Sequence, residues 1–177
     1  MQNNEEMEYE LTFLAAHLPD LDPDIEPEEI IDVYFPEDAS VHPKLRVRKA
    51  GEVYQITKKV PSDTSDASAH IETSIRITEA EFTSLTRHNA RYVRKQRYNT
   101  IIDGRVAEVD VFQDNLAGLV VIDFEFPSQE ELRRFEKPDC CLADVTQEDF
   151  IAGGLLAGKS YEDIRHNLEV FKWELSR

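Results

Sequence analysis

This chain has little cysteine, no long apolar run and a deficit of positive charge, and each shortage removes a class of function. Its two cysteines, Cys140 and Cys141, are adjacent. They are too few for a disulfide framework and lack the spacing of a zinc knuckle, so they read as reduced thiols. No apolar stretch approaches the length of a membrane span, and the opening M-Q-N-N-E-E-M-E is acidic where a secretion leader is basic and then apolar. These absences predict a cytoplasmic protein that has no membrane partner. The five histidines, His17, His42, His70, His88 and His166, show no ligand spacing such as H-E-x-x-H and read as scattered surface residues. Lysine and arginine number 20 against 36 Asp and Glu, a formal charge of −16. A field of that sign repels phosphate backbones and anionic lipid, which argues against nucleic acid as a partner.

What is present is alternation. The 177 residues, 41% of them hydrophobic, suffice for a single domain with one sizeable core. In E-V-D-V-F (108–112) and I-D-F-E-F (122–126), acids alternate with apolar residues. Side chains alternate across a strand, so each segment reads as a strand with one acidic and one apolar face. One such strand is ordinary for a half-wet sheet. Two in succession put a second reading level with the plain one: Glu108, Asp110, Asp123 and Glu125 converge as hard oxygen donors of the kind Mg2+ or Mn2+ prefers. Glu8 and Glu10 repeat the device near the start of the chain.

Basic residues use the same spacing. Arg46 and Arg48 share one strand face in L-R-V-R, as do Lys95 and Arg97 in K-Q-R, and ten of the 20 cations fall in two windows, 44–59 and 91–97. Acidic and basic strands together suit a polyanion held between cations on one wall and carboxylate-bound metal on another. Paired arginines inside a barrel repel each other when it is empty, so Arg46 and Arg48 are expected to serve a ligand and not the fold.

Strands are predicted over 8–14, 30–35, 44–49, 53–60, 71–77, 92–98, 105–112 and 119–126, with Gly51-Glu52 turning the third into the fourth. Residues 18–29 read as an acidic connector with room for one helical turn, and 62–69, small and polar, as a mobile loop. Four helices are announced by an N-cap hydroxyl with an acid three residues on: Thr78 with Glu81, Ser128 with Glu131, Thr146 with Asp149, and Ser160 with Asp163. The last carries Ile164, Leu168, Phe171 and Leu175 on one face and is expected to dock on the domain. Eight strands on short connections favour an antiparallel sheet. Closing it gives a polar interior and an apolar outside covered by helices: an α+β fold built on an eight-stranded antiparallel closed β-barrel.

E-Y-E-L-T-F-L, L-R-V-R, the T-K-K that ends on Lys59, K-Q-R-Y, E-V-D-V-F, D-F-E-F followed by S-Q-E-E, and D-V-T occur in an order and spacing that resembles the CYTH, or triphosphate tunnel metalloenzyme, family from about Glu8 to about Leu155. The resemblance implies an eight-stranded tunnel that acts on a small-molecule triphosphate with Mg2+ or Mn2+, as a monomer or homodimer. It implies metal handling by Glu8, Glu10, Glu108, Asp110, Asp123 and Glu125, phosphate binding by Arg46, Arg48, Lys59, Lys95 and Arg97, and catalytic roles for Glu8, Glu10 and Glu72. Three positions depart from the family pattern: Thr12 stands for a lysine, Ser74 for a second acid after Glu72, and Asp123 for a glutamate. A neighbouring cation such as Lys58 is a candidate to replace the missing lysine. Hydrolysis of inorganic triphosphate is expected first, because nothing outside the tunnel residues resembles a base or thiazole pocket. The alternatives are a thiamine or nucleoside triphosphatase and, given Thr12 and Ser74, a non-catalytic nucleotide- or polyphosphate-binding module.

Overall fold

The alternating segments become strands in the computed structural model, which describes residues 5–38, 40–41, 45–63 and 66–173. They are β1 (Glu5–Ala15), β2 (Glu28–Phe35), β3 (Leu45–Ala50), β4 (Val53–Asp63), β5 (Asp66–Arg76), β6 (Tyr92–Ile102), β7 (Arg105–Phe112), β8 (Val120–Phe126) and β9 (Cys141–Asp144). Helices α1 (Glu79–Thr86), α2 (Gln129–Arg133), α3 (Gly153–Leu156) and α4 (Tyr161–Val170) flank them. The sheet runs β5-β4-β3-β2-β6-β7-β8-β1, and β1 pairs back onto β5, so eight antiparallel strands close into a barrel as alternation predicts. The short β9 was not anticipated; it adds to the end of β1 over Phe13–Ala15.

Closure depends on how β1 divides its partners. Glu5–Tyr9 pair with β5 and Tyr9–Leu14 with β8. Beyond Tyr9 the seam between β1 and β5 opens, and residues 145–147 fill it. Val145 N donates to Thr12 O at 2.8 Å and Thr12 N donates to the Thr146 hydroxyl at 3.0 Å. Across the gap, Ala67 N donates to Gln147 Oε1 at 3.0 Å, and Gln147 Nε2 to Asp66 Oδ1 at 3.1 Å.

Those bonds explain one departure from the local capping signals. The Thr146 hydroxyl engages Asp144 and the main chain of Thr12, so it does not cap a helix with Asp149. The chain makes a 3-10 turn over Asp149–Ile151 and then the single turn of α3. The capping boxes at Thr78/Glu81 and Ser160/Asp163 form reciprocally, and Ser128 accepts from Glu131 N.

Within the segment 62–69, the described residues 62–63 and 66–69 are strand and not loop. Strands β4 and β5 extend to Asp63 and from Asp66, which pair with each other, because small polar side chains there serve the ladder: Ser62 Oγ donates to Ala69 O at 3.1 Å. The connector before β2 forms no helix, only a single turn in which Ile25 N donates to Asp22 O at 3.0 Å. Lys44 and Leu175 lie outside the described residues.

One end of the lumen is filled. Leu14, Tyr34, Val93, Phe112 and Val121 pack in a buried cluster with Leu156, Ile164, Leu168 and Trp173. Trp173 Nε1 donates to Ala15 O at 2.9 Å, which anchors the chain after α4. Tyr34 abuts Gly153 so closely that a Cβ there would stand 2.1 Å from its hydroxyl oxygen, which excludes any larger residue. On the outer face, Phe13, Ile122, Phe124 and Phe126 pack with Phe135 beyond α2, the rings of Phe124 and Phe135 4.7 Å apart. Among the described residues no helix is long and apolar enough to cross a membrane.

Candidate active site in the barrel lumen

Alternation turns one face of each strand inward, and the inward faces enclose a cavity of about 800 Å³. All twelve residues singled out above line it: Glu8, Glu10, Arg46, Arg48, Lys59, Glu72, Lys95, Arg97, Glu108, Asp110, Asp123 and Glu125. Register sets acid against base at Lys59 and Glu72 and at Arg97 and Asp110, but acid against acid at Glu10 and Glu125 and at Glu108 and Asp123.

Lys59 Nζ sits between Glu8 Oε2, at 3.0 Å, and Glu10. Burial alone raises the Glu10 carboxyl, but the Lys59 charge prevails and holds it down at about 2. Arg97 grips Asp110 with both arms of its fork, Nε to Oδ1 and Nη2 to Oδ2 at 2.7 Å each, while also meeting Glu108; Lys95 closes on Asp110 from the other side. Burial raises the Asp110 carboxyl too, and again the cations win and lower it.

Two acids lack that compensation. Burial first, then the nearby charges of Glu10 and Asp110, push Asp123 up to about 8, with Arg97 Nη2 no nearer than 3.9 Å. Burial, Glu108 and Glu10 likewise raise Glu125. Among the described residues eleven carboxylates line the cavity against five Lys or Arg side chains. No three Asp, Glu, Cys or His among them gather tightly enough to ligate a metal as placed. The donor set is nonetheless oxygen throughout, and the mutual repulsion at Asp123 and Glu125 is what a hard divalent cation relieves. The residues fit such an ion.

Two functional candidates escaped the sequence. Asp32, 1% exposed, accepts from Arg48 Nε at 2.6 Å and Nη2 at 2.7 Å, so Arg48 is not the unpartnered cation expected. The signal was present, an acid alternating with Tyr34 in I-D-V-Y, but one acid in an apolar strand does not announce a lumen. His70 is the second. Read as a surface residue, it lies opposite Glu8 and Pro61 on the inward face, half-buried, with Nδ1 buried and without a hydrogen-bond partner. Burial and the Lys59 charge lower its pKa.

Comparison with known proteins places this lumen. No family model matches the chain. An inorganic triphosphatase of Nitrosomonas europaea is 30% identical over 142 residues, covering 80% of this chain and 90% of that one. The chain belongs to the triphosphate tunnel, CYTH-like family. A crystal structure of an inorganic triphosphatase superposes with a TM-score of 0.62 at 26% identity, over 86% of this chain and 95% of that one. A putative adenylate cyclase of Bacillus halodurans shares the fold at a TM-score of 0.58 and 14% identity, over 92% of this chain and 97% of that one.

The three departures from the family pattern fall into two contacts. Thr12 and Asp123 face each other across β1 and β8, and the Thr12 hydroxyl donates to Asp123 Oδ1 at 2.8 Å. A short donor thus meets a short acid. Ser74 donates to Glu72 Oε1 at 3.0 Å and shares a 2.8 Å hydrogen bond with Thr57, while Arg46 Nη2 stands 3.5 Å from Glu72 Oε2. Lys58 does not line the cavity as Lys59 does, because alternation turns it outward, so it takes no part in replacing the lysine.

Proposed function

We propose that this protein hydrolyses inorganic triphosphate to pyrophosphate and phosphate inside the barrel, with Mg2+ or Mn2+ held by Glu8, Glu10, Glu108, Asp110, Asp123 and Glu125. The observation that supports it is the charge of the cavity, eleven carboxylates to five cations. A polyanion enters such a space only with compensating positive charge, and divalent metal bound to the acid wall supplies it. When bound, that metal also polarises phosphoryl oxygens and lowers the pKa of a coordinated water.

The remaining work belongs to the side chains. Arg46, Arg48, Lys59, Lys95 and Arg97 meet the phosphoryl oxygens, fixing the chain and neutralising charge on the equatorial oxygens. Glu10, held ionised by Lys59, accepts a hydrogen bond from the attacking water, with Glu8 on the same Lys59 ammonium and Glu72 elsewhere on the lumen wall. The water oxygen bonds the terminal phosphorus, its bridging P–O bond breaks, and the electron pair leaves on pyrophosphate; one water proton stays on the new phosphate and the other passes to a pyrophosphate oxygen.

The test is phosphate release from tripolyphosphate, ATP and thiamine triphosphate with Mg2+ and with Mn2+. Tripolyphosphate is expected to be turned over fastest, and only with metal. Faster release from either organic triphosphate replaces the substrate, and tight metal-dependent binding of tripolyphosphate without release leaves a binding module.

A further inference from the structure

Asp32 is the buried carboxylate of the lumen that the metal and phosphate roles do not use. Its Cα lies opposite Arg48 across β2 and β3, and the next inward residue of β2, Tyr34, lies opposite Arg46. Arg48 presents one whole edge to it, at 2.6 and 2.7 Å, and Arg46 Nε stands 3.8 Å from Oδ1. Lys95 contributes to the field on the same carboxylate from β6. A guanidinium carries five N–H groups in a rigid plane, so pinning the Nε edge leaves the Nη1 side of Arg48 to point elsewhere. In Arg46 it is Nε itself that is buried without an acceptor. An orphaned buried donor is costly, and the acceptor it lacks is not supplied by the protein.

We infer that Asp32 is a positioning residue, fixing Arg48 and Arg46 so that their free N–H groups face the phosphoryl oxygens of the bound chain. This rests on the phosphate-binding role proposed for those arginines. Without Asp32, Arg46, Arg48 and Lys95 repel one another and swing toward the lumen acids Glu72 and Asp110. With it, the arginines attract a ground-state anion less strongly but keep the donor geometry that the transition state needs.

Asp32→Asn and Asp32→Glu separate charge from geometry, with kcat and KM measured on tripolyphosphate, and melting measured in Mg2+ without and with excess tripolyphosphate. Asp32→Asn is expected to lower kcat roughly 10- to 100-fold with KM unchanged or lower, as for a misplacement of about 1 Å. Its ligand-free melting temperature should fall, and tripolyphosphate should raise it by more than in wild type, since the anion replaces the missing charge. Asp32→Glu should melt near wild type yet still lose about tenfold in kcat, because the longer acid shifts both arginines. If Asp32→Asn does not fold, Asp32→Glu decides alone: kcat and KM within about twofold of wild type overturn the inference. An Asp32→Asn protein with normal kinetics and a normal increment in melting with tripolyphosphate overturns it as well, leaving Asp32 a structural ion pair. A wild type that binds tripolyphosphate without releasing phosphate defeats the proposed activity instead, and the size of that melting increment still tests Asp32.

Discussion

The wall made by β2 and β3 and the wall made by β7 and β8 follow the same alternation and end in opposite electrical states. On the first, Arg48 is forked onto Asp32, and Arg46 lies 3.8 Å from Asp32 and 3.5 Å from Glu72. On the second, Asp110 holds Arg97 and Lys95, whereas Asp123 and Glu125 are driven toward their protonated forms by burial and by neighbouring acids. Alternation decides which side chains enter the lumen. Whether a charge is compensated there depends on what the adjoining strands bring beside it. The basic wall is thereby compensated when empty, and the acidic wall is left with two carboxyls whose ionisation a cation beside them would favour.

Removing a charge from each wall tests the contrast, and the largest effect is expected on the compensated one. Arg48→Ala strands a carboxylate that is 1% exposed, which should cost about 3–5 kcal/mol in urea unfolding. An unchanged midpoint would restore the expectation that Arg48 serves only the ligand. On the other wall, Arg97→Ala frees Asp110 and Glu108 and removes a phosphate donor, so metal-dependent phosphate release should fall about 10²- to 10³-fold. A loss under threefold would mean that the acid wall is not where the reaction takes place.

Metal affinity sharpens the contrast next. Replacing both Asp123 and Glu125 with Ala should weaken Mg2+ or Mn2+ binding by at least about tenfold in calorimetry, since water replaces the oxygens but not their charge. Equal affinity would move the cation to other residues. The pH response follows from Asp32, whose carboxyl burial raises but Arg48 and Arg46 hold far below the ordinary value. A folded pKa depressed in this way gives stability that is present above an unfolded pKa of about 4 and is lost as pH falls below it, with a limiting slope of about 1.4 kcal/mol per pH unit. Acid unfolding of Asp32→Asn should lack that part of the slope, and an identical acid limb would assign it to other carboxylates. The smallest effect is expected at Thr12→Val, which removes the hydroxyl bonded to Asp123 and should cost about 1 kcal/mol with the fold intact. No measurable change would show that the bond does not hold Asp123.

Most of the barrel and the named lumen residues were legible because the signal is local and periodic. E-V-D-V-F states its two faces within five residues, and Arg46 and Arg48 do so within three. Asp32 was not legible as a partner, because its role appears only when β2 and β3 bring it opposite Arg48. His70 looked like an isolated surface residue for the same reason, since it enters the lumen through its register against Glu8. Composition misled at 62–63 and 66–69, where small polar residues extend β4 and β5, and a capping signal misled at Thr146, whose hydroxyl engages Asp144 and Thr12.

By itself, the order of residues determined the existence of the eight barrel strands, the side of each that turns inward, and the charged residues that alternation puts there, because a period of two is set by the backbone alone. The tertiary structure decided which charges meet. It split β1 between β5 and β8, closed the open seam with residues 145–147, filled one end of the lumen with Tyr34 and its neighbours, and set Asp32 against Arg48 while leaving Asp123 without an equal partner. Charge compensation acts across strands far apart in sequence, and closure is what brings them within a few ångströms.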